Sequence, residues 1–440
     1  MFDTIVALAT APIKSAIAVI RLSGEECFNI VSKVFTKNLT NINERKIHYG
    51  HIVDENGVVD EVMLITYINP HSFTGENCVE IMCHGSPLIA NEIIELLISK
   101  GARLATKGEF TSRAYLNKKI DLIQAEAIND VINATSSEAK KLSLLSLNGD
   151  TSKLIEPLKK DLFDLISNIE VNIDYPEYQD IEIVSKNKVI EQGLEIHKTI
   201  VSLINDGVNG IKIKEGIQVA IVGAPNVGKS SLLNCLIKEN KAIVTDVAGT
   251  TRDVVEGDFV VKGLTFHLFD TAGIHASKDI VEQIGITKAK ETIQKAEIVI
   301  LLIDAEKGMS EEDQKIIEEC KDKQLLVAFN KSDKKQIKGE INISAKESKV
   351  DQLVDAMIKL VNISEESFTK PSLNNARQIG LLKKADLAIL KAIEDAKYDL
   401  PIDLIAVSLT SAVTDIQAIL GDEVNLDLAK EIFSRFCVGK

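Results

Sequence analysis

A glycine-rich stretch from Gly223 to Ser230 has the residue types that bind the phosphates of a nucleoside triphosphate. It reads Gly-Ala-Pro-Asn-Val-Gly-Lys-Ser and fits the pattern G-x-x-x-x-G-K-[ST]. Glycines let backbone N–H groups approach phosphate oxygens, Lys229 can reach the β- and γ-phosphates, and the Ser230 hydroxyl can bind Mg²⁺. A short apolar strand pattern precedes the stretch and a helical pattern follows it. We therefore expect a phosphate site at a helix N-terminus.

Further motifs follow in the order expected of a guanine-nucleotide site. Asp270-Thr-Ala-Gly273 follows an apolar strand pattern, so its Asp can hold Mg²⁺ through water and its Gly N–H can meet a γ-phosphate. In Asn330-Lys-Ser-Asp333 the last carboxylate can accept hydrogen bonds from guanine N1–H and N2–H₂. Adenine offers no such donor pair, so this motif predicts guanine selectivity. Ser344-Ala-Lys346 can add a backbone donor to guanine O6, and Thr250-Thr251 can add a hydroxyl to Mg²⁺.

The group that orients the attacking water is open on residues alone. Ile274 follows Gly273, at the place where Ras-type enzymes use Gln to position water. Asp279 and Glu282 lie further along the same segment, and either can be a water-orienting acid or a solvated charge.

A second charge can assist hydrolysis, and two residues compete for that role. Asn226 lies inside the phosphate loop, where its side-chain oxygen can hold a monovalent cation that replaces an arginine finger. Arg252 is the alternative source of positive charge, or else the member of a surface ion pair.

The elements that must position these motifs are predicted by hydrophobic periodicity. Short apolar runs alternate with helical patterns from Gly216 to about Ile363, which favours a mostly parallel sheet covered on both faces. Long amphipathic helical patterns lie on either side, over 121–210 and 373–436. We interpret these as one discontinuous helical domain with the α/β domain inserted into it.

The N-terminal part has a mixed α+β pattern. Asn56-Gly57 separates two strand-like runs and predicts a hairpin. Ser86 is a candidate N-cap for a helix that begins with Pro87 and ends before Gly101.

Composition limits the possible functions. The chain has 440 residues and a net charge of -14, so a nucleic-acid contact needs a local patch. The longest strongly apolar run, near Ile298–Ile303, is short for a membrane span, and Asp3 with no basic residue before it argues against a signal peptide. Six irregularly spaced cysteines favour reduced thiols in the cytoplasm.

Motifs along the whole chain resemble the MnmE (TrmE) family of tRNA-modification GTPases. These motifs are Asp3-Thr-Ile-Val-Ala, Ile17-Ala-Val-Ile-Arg-Leu-Ser-Gly24, Ser72-Phe-Thr-Gly-Glu76, Gly108-Glu-Phe-Thr-Ser-Arg-Ala-Tyr-Leu-Asn117, Asp121-Leu-Ile-Gln-Ala-Glu-Ala127, Thr245-Asp-Val-Ala-Gly-Thr-Thr-Arg-Asp253 and Cys437-Val-Gly-Lys440. The resemblance implies four parts: an N-terminal folate-binding and dimerisation domain (1–118), a helical domain in two segments (119–213 and 364–440), and an inserted G domain (214–363).

The resemblance also implies an activity and its partners. It implies a K⁺-dependent GTPase that binds Mg²⁺ and 5-formyltetrahydrofolate or a related folate. It implies a homodimer that works with MnmG, an FAD protein, to modify C5 of the wobble uridine, position 34, in certain tRNAs.

Site residues are implied by the same resemblance. Glu282 matches the water-orienting glutamate and is thereby favoured over Asp279. The implied K⁺ ligands are Asn226, Thr245, Val247 and Thr250, the implied Mg²⁺ ligands are Ser230 and Thr251, and the implied folate residues are Arg21, Glu80, Lys119 and Lys440. The residues expected to form the nucleotide site are Asn226, Val227, Gly228, Lys229, Ser230, Ser231, Thr245, Asp246, Val247, Ala248, Gly249, Thr250, Thr251, Asp270, Thr271, Ala272, Gly273, Asn330, Lys331, Ser332, Asp333, Ser344, Ala345 and Lys346.

Two other functions are compatible with parts of this pattern. One is a GTP-dependent switch that docks on the ribosome and performs no chemistry on tRNA. The other is a one-carbon transferase that GTP regulates. The N-terminal motifs and the Cys437-Val-Gly-Lys440 end favour the tRNA-modifying function over the ribosomal switch.

Overall fold

The chain divides into two compact units. The computed structural model describes residues 3–39, 42, 44–174, 186–239, 257–270, 293–422, 431–434 and 436–440, and helices and strands are numbered along these residues. One unit consists of Met1–Asn129 with Val413–Lys440, and the other of Asp130–Ala412. The four-part division predicted from the sequence is finer than these two units and stays a prediction.

The first unit is built on a six-stranded sheet with the order β3-β4-β5-β2-β1-β6. Neighbouring strands are antiparallel except for β1 and β6, which are parallel. The strands are β1 (Ile5–Leu8), β2 (Ile17–Ser23), β3 (Lys46–Asp54), β4 (Gly57–Tyr67), β5 (Cys78–His84) and β6 (Arg103–Leu104). The predicted hairpin joins β3 to β4, but its turn residues are Glu55 and Asn56, because Gly57 already begins β4. The Asp54 carboxylate accepts the N–H groups of Asn56 and Gly57 and fixes this turn.

Alternation of side chains gives this sheet one buried and one exposed face. Helices α1 (Cys27–Ser32) and α2 (Pro87–Ser99) pack against the buried face. Its core residues include Ile20, Leu22, Ile52, Leu64 and Ile81. On the other face Ile47, Tyr49 and Met63 are 64%, 56% and 44% exposed. We call these three residues the outer apolar face.

The ends of α2 agree only in part with the sequence prediction. Pro87 begins the helix and Ser86 precedes it, but the Ser86 hydroxyl makes no capping hydrogen bond. Gly101 follows the helix with φ +117, and its N–H donates to Ile98 O at 3.0 Å. Glycine at this position therefore ends the helix as predicted.

The C-terminal residues pack against the middle of the first unit. Helix α3 (Glu109–Leu116) supplies Tyr115, whose hydroxyl donates to Gly421 O at 2.5 Å. Phe433 and Phe436 complete a small cluster with Tyr115. This contact places the last residues of the chain near the N-terminal sheet.

Asp121 caps α4 (Leu122–Asn133), as its position predicted. The Asp121 carboxylate accepts the Gln124 N–H at 2.8 Å, and the Gln124 side chain accepts the Asp121 N–H at 3.0 Å. Two backbone donors at the helix start are thereby satisfied.

The second unit contains the predicted mostly parallel sheet. Its order is β12-β11-β10-β7-β9-β8, and of the described strand pairs in this sheet only β8–β9 is antiparallel. The strands are β7 (Ile217–Val222), β8 (Gly257–Val261), β9 (Leu264–Asp270), β10 (Ile298–Asp304), β11 (Gln324–Asn330) and β12 (Ile341–Asn342). Every residue of β10 is buried, as expected for a strand covered on both faces.

Three shorter helices accompany this sheet. They are α8 (Lys229–Glu239), α9 (Glu311–Glu319) and α10 (Asp351–Val361). Ser310 and Asp313 form a capping box at the start of α9. Leu232, Leu236, Leu353 and Met357 from α8 and α10 belong to the same core cluster as Val219 and Leu268 of the sheet.

Long helices form the rest of the second unit. They are α5 (Ser137–Leu147), α6 (Ser152–Asp174), α7 (Lys186–Glu215), α11 (Ala376–Lys397) and, as far as Ala412, α12 (Ile402–Leu420), with a 3₁₀ turn at Glu365–Phe368. α7 packs closely against α11, because a Cβ at Gly193 would lie 2.8 Å from the Ile393 side chain. The prediction of an α/β sheet between two helical stretches is therefore confirmed.

A single glycine separates α7 from β7. Gly216 has φ +75, and a Cβ there would lie 2.5 Å from His267 Nε2. The same ring nitrogen contacts Glu215 O at 2.9 Å, while His267 Nδ1 pairs with Asp258 at 2.7 Å. The imidazole of β9 thus holds the last carbonyl of α7.

Among the described helices, α12 alone is long and apolar enough to cross a membrane. Core helices of soluble proteins pass the same test, and Ile405, Leu409 and Ile416 of α12 are fully buried. The helix therefore does not by itself indicate a membrane.

Candidate functional site

The predicted phosphate loop connects β7 to α8 and depends on two glycines. A Cβ at Gly223 would lie 2.3 Å from Leu302 O, and one at Gly228 would lie 2.3 Å from Asn330 Nδ2. Both glycines have positive φ, +144 and +102, as does Asn226 at +63. The loop can therefore keep this conformation only with glycine at Gly223 and Gly228.

Lys229 begins α8 and is 9% exposed. Its Nζ donates to Gly223 O at 2.8 Å and to Ala224 O at 3.1 Å. The ammonium is therefore held inside the curve of the loop, where a phosphate oxygen would meet it together with the N-terminus of α8.

The sheet places this loop at the point where the strand order reverses. β7 lies between β9 and β10, and Ile221 of β7 is in register with Asp270 at the end of β9. Ligands of open α/β sheets bind outside the carboxyl ends of the strands at such a point. The predicted motifs after β7, β9 and β11 all begin at these strand ends.

Asn330 joins the phosphate loop to the two segments expected to bind guanine. Its Nδ2 donates to Val227 O at 2.8 Å, and its Oδ1 accepts the Ala345 N–H at 3.1 Å. Asn330 is 4% exposed, so it acts as a structural bridge and has little surface for a ligand.

Asp333 presents an exposed carboxylate at the open side of the same bridge. Its Oδ1 accepts the hydroxyl of the buried Ser344 at 3.0 Å. This hydrogen bond orients the carboxylate, whose remaining lone pairs can accept the two guanine donors.

Asp304 is a charged residue of this region that sequence reasoning missed. It ends β10 directly after the apolar run Ile298–Ile303, and its carboxylate pairs with Lys331 at 2.5 Å. The available signal was an acid at the end of a buried strand, the same signal that singled out Asp270.

Many predicted residues lie outside the described part of the chain. They are Thr245, Asp246, Val247, Ala248, Gly249, Thr250, Thr251, Thr271, Ala272, Gly273 and Glu282, together with Asp279 and Arg252. Asp270 is described only through its backbone. The roles given to these residues stay predictions.

The first unit has a cavity of about 210 Å³ that contains two of the predicted folate residues. Arg21 Nε and Nη2 approach Glu80 Oε1 at 2.9 and 2.8 Å, and the Tyr67 hydroxyl donates to Glu80 Oε2 at 3.0 Å. Neighbouring strands position these residues, because Arg21 of β2 and Glu80 of β5 are register partners. Sequence reasoning missed Tyr67.

Aromatic rings and a second arginine surround this pair. The Arg21 guanidinium lies 5.5 Å from the ring centre of Phe73 and 5.7 Å from that of Phe110. Arg45 lies over the Tyr67 ring at 4.4 Å and also lines the cavity. The cavity thus combines one carboxylate with two cations and flat apolar surfaces, a combination that suits a flat, hydrogen-bonding, anionic ligand.

The two remaining predicted folate residues lie close by. Arg21 Nη1 donates to Gly439 O at 3.5 Å, next to Lys440. Burial lowers the pKa of Lys440, Cys437 opposes this effect, and the nearby charge of Arg21 lowers the pKa further. Lys119 Nζ donates to Pro70 O at 3.0 Å, beside the segment that carries His71, Ser72 and Phe73 to the cavity. The structure therefore brings all four residues to one region of the first unit.

A buried ionic network supports the segment around Glu76. Arg113 is 2% exposed and donates to Glu76 Oε2, Glu109 Oε1 and Asp3 O at 3.0, 3.0 and 2.8 Å. Ser23 also donates to Glu76 at 2.6 Å. Sequence reasoning placed Arg113 in a family motif without a role, because nothing local indicates that it is buried.

Of the six cysteines, Cys437 alone is exposed. Burial raises the pKa of the Cys83 thiol to about 11 and that of Cys27 well above its usual range, so these thiols are protonated. Cys437, near the end of the chain, is accessible to reagents.

A mostly parallel sheet with a phosphate loop where its strand order reverses, together with an Asn-Lys-Ser-Asp base segment, defines a P-loop guanine-nucleotide-binding protein. The family model described as the MnmE helical domain matches residues 122–437, and that described as the GTP-binding protein TrmE N-terminus matches residues 4–119. The chain therefore belongs to the MnmE family of tRNA modification GTPases, and it is a GTP-hydrolysing enzyme of tRNA modification.

Two relatives from Bacillus mycoides and Ligilactobacillus salivarius agree with this assignment. The chain is 40% identical over 459 aligned positions to the tRNA modification GTPase MnmE of Bacillus mycoides (strain KBAB4), covering 100% of both chains. It is 40% identical to the protein of the same name from Ligilactobacillus salivarius (strain UCC118), covering 100% of this chain and 98% of the relative. Among solved structures it is similar to a point variant of Era from Aquifex aeolicus bound to GDP.AlF4-, with 28% identity, a TM-score of 0.28 and coverage of 40% of this chain and 67% of that one.

Proposed function

We propose that the chain hydrolyses GTP in a K⁺-dependent reaction and acts with an FAD-containing partner of the MnmG type to modify C5 of wobble uridine 34 in certain tRNAs. The reaction uses a tetrahydrofolate one-carbon unit, and the bound cofactor is 5-formyltetrahydrofolate or a related folate. The observation that carries the proposal is the cavity in which Arg21 and Glu80 are paired, in a chain that also has a guanine-nucleotide site.

In the G domain, each described motif has one task. Lys229 and the α8 N-terminus bind the phosphates, and Asp333 reads the guanine edge while Ser344 holds its carboxylate. Asn330 keeps the phosphate and base segments at a fixed separation.

The metal ligands are oxygen donors, which suit both K⁺ and Mg²⁺. Asn226 is exposed in the loop, and Ser230 is exposed in the first turn of α8. Asn226 with Thr245, Val247 and Thr250 would hold K⁺, and Ser230 with Thr251 would hold Mg²⁺. The ions supply positive charge where negative charge develops on the phosphates.

Glu282 orients the attacking water in this proposal. The argument rests on the family resemblance of Val281-Glu-Gln-Ile-Gly285 and on Ile274, which has no polar atom to do so. A carboxylate can accept a proton from water and hold its lone pair toward the γ-phosphate.

The N-terminal cavity fits the pterin end of a folate. Glu80 already accepts from Arg21 and Tyr67, but a carboxylate has about four lone-pair sites and can accept further donors. A volume of about 210 Å³ is smaller than pockets that enclose a whole drug-sized ligand, usually about 300 Å³ or more, so one ring system enters and the tail stays outside. Lys119 and Lys440 are the cations available to carboxylates of the tail.

The outer apolar face supports a homodimer through the N-terminal domain. Ile47, Tyr49 and Met63 are exposed on neighbouring strands, and β3 is an edge strand of the sheet. Exposed apolar patches of this kind mark contact surfaces. The domain limits 1–118, 119–213, 214–363 and 364–440 and a cytoplasmic location belong to the same proposal.

Mass spectrometry of tRNA nucleosides from a strain that lacks the gene tests the function as a whole. We expect the loss of a C5-modified uridine at position 34 and its recovery when the wild-type gene is returned. Unmodified tRNA should persist when the Lys229→Ala gene is returned instead, because nucleotide binding is lost. Wobble uridines that are identical with and without the gene would support the ribosomal switch.

Calorimetric titration with 5-formyltetrahydrofolate tests the cavity separately. Glu80→Gln should weaken binding roughly tenfold or more, because the pterin donors lose a charged acceptor. Glu61→Gln is the matched control, since Glu61 lies on β4 outside the cavity and is 49% exposed. Equal affinity of Glu80→Gln and the wild type would contradict the assignment.

A further inference from the structure

Asp304 is bonded to the base segment, Asn330–Asp333, but belongs to none of the nucleotide motifs. It is in parallel register with Asn330, and its side chain is 4% exposed. Oδ2 accepts a hydrogen bond from Lys331 Nζ at 2.5 Å, and Oδ1 accepts the Glu306 N–H at 3.0 Å. One buried carboxylate therefore links the end of β10 to the segment after β11.

The Asp304 carboxylate is charged in the folded chain. Burial opposes its ionisation, but the hydrogen bonds from Lys331 and from the Glu306 backbone outweigh burial and lower the pKa. A buried anion and its bonded cation form a contact that is costly to break from one side only.

Lys331 has an unusual backbone that this contact helps to explain. Its φ is +66, a backbone conformation that residues other than glycine and asparagine rarely adopt. The pair with Asp304 ties the Lys331 side chain back to β10, while Asn330 is tied to Val227 O and Asp333 to Ser344. The Lys331 side chain stays 33% exposed, so this contact does not bury it.

We propose that Asp304 is a positioning residue for guanine-nucleotide binding, which holds Lys331 and thereby fixes the base segment between Asn330 and Asp333. Asp304 touches no nucleotide itself. It orders the segment before the ligand arrives, so binding loses less conformational entropy. The effect belongs to the affinity for the nucleotide and leaves the hydrolysis step unchanged.

Asp304→Asn tests the proposal with little change of shape, since the amide oxygen can still accept the Glu306 N–H. We expect the Kd for a fluorescent GDP analogue and the KM for GTP to rise about tenfold or more, with kcat at saturating GTP within about twofold of wild type. Glu306→Gln is the matched control. It breaks the exposed Lys334–Glu306 pair between the same two segments, 2.9 Å long, and should leave both constants unchanged.

A double-mutant cycle with Lys331→Met decides whether Asp304 acts through Lys331. The affinity of the double variant should equal that of Lys331→Met alone. A Kd for Asp304→Asn within about twofold of wild type, additive losses, or a lowered kcat with unchanged KM would each overturn the proposal. If Asp304→Asn alone does not fold, the Kd of Lys331→Met is compared with the Kd of the double variant. Neither of these two variants has a lysine charge that faces residue 304.

Discussion

Glu109 shows how a carboxylate remains charged beside the buried Arg113. Burial opposes its ionisation, but hydrogen bonds from Arg103, the Thr106 N–H and Arg113 outweigh burial and lower its pKa to about 2. Each partner is a donor, so the charged form is stabilised from several directions. The side chain is 14% exposed, which limits screening by solvent.

We predict that Glu109 makes the stability of the first unit depend on acidity. Its folded pKa is lower than its ordinary value of 4.5, so its contribution is complete above about pH 4.5 and is lost as the pH falls toward 2. The contribution is on the order of 3 kcal/mol. Urea unfolding near pH 6 and near pH 3 measures it, as the free-energy difference between wild type and Glu109→Gln.

That difference should shrink at the lower pH. Glu61→Gln is the control, because Glu61 is about half exposed and should give a small difference at both values. A Glu109→Gln difference that is the same near pH 6 and near pH 3 would show that its charge does not matter.

Asn226 gives a second prediction about a single side chain. If its side-chain oxygen holds K⁺, GTP hydrolysis by the wild type should be about tenfold or more faster in KCl than in NaCl. Asn226→Ala should hydrolyse GTP at similar rates in both salts. Initial rates at saturating GTP measure this, with Asn234→Ala on the exposed side of α8 as the control. Equal wild-type rates in both salts would exclude a K⁺ site.

The phosphate loop depends on the close approach of β11. Gly228→Ala places a Cβ about 2.3 Å from Asn330 Nδ2 at a positive φ, so the bridge from Asn330 to the loop cannot form. GDP affinity should fall about 100-fold or more while the far-ultraviolet circular dichroism stays unchanged.

Gly339→Ala separates clash from backbone strain. Gly339 has φ +87 but nothing within 4 Å of a Cβ, so this variant shares the strain and lacks the clash. It should lose some stability and keep its GDP affinity. Equal loss of GDP affinity in both variants would mean that the contact with Asn330 is unimportant.

Element positions were predictable because their signals are local. The strand before Gly223, the helix after it and the hairpin near Gly57 each depend on a few neighbouring residues. The hairpin turn was misplaced by one residue, and Ser86 was expected to cap α2 through its side chain but does not. Such details depend on hydrogen bonds that several partners compete for.

Side-chain pairs across the fold were not predictable from the same signals. Asn330 contacts Val227 across 103 positions, and Lys331 contacts Asp304 across 27. Strand order creates these pairs, and a single sequence has no local pattern for them. The cavity is a mixed case, because Arg21 and Glu80 were found by resemblance whereas Arg45 and Tyr67 become visible only once β2, β4 and β5 are side by side.

For the whole molecule, we predict that the outer apolar face joins two copies of the chain. The double variant Tyr49→Lys, Met63→Lys places two charges on this face, which should convert a dimer into a monomer. Sedimentation velocity measures this change. Leu88→Lys is the control: Leu88 is 75% exposed on α2, which packs on the other face of the sheet.

As a test of folding, the rate of GTP hydrolysis by each variant is compared with that of the wild type at low protein concentration. A double variant that sediments like the wild type would mean that the two copies, if they associate, use another surface.

α7 has 30 residues and is about 45 Å long, and it leads into β7 through Gly216 alone. A turn of only about 5° at this junction would swing the far end of the rod by about 4 Å. His267 of β9, three positions before Asp270, contacts the last carbonyl of α7 through its Nε2. A shift of β9 along its axis must therefore either move α7 with it or break the contact between His267 Nε2 and Glu215 O. A strand movement near the phosphates that turned this junction would therefore be enlarged at the N-terminal end of α7, in proportion to the length of the helix.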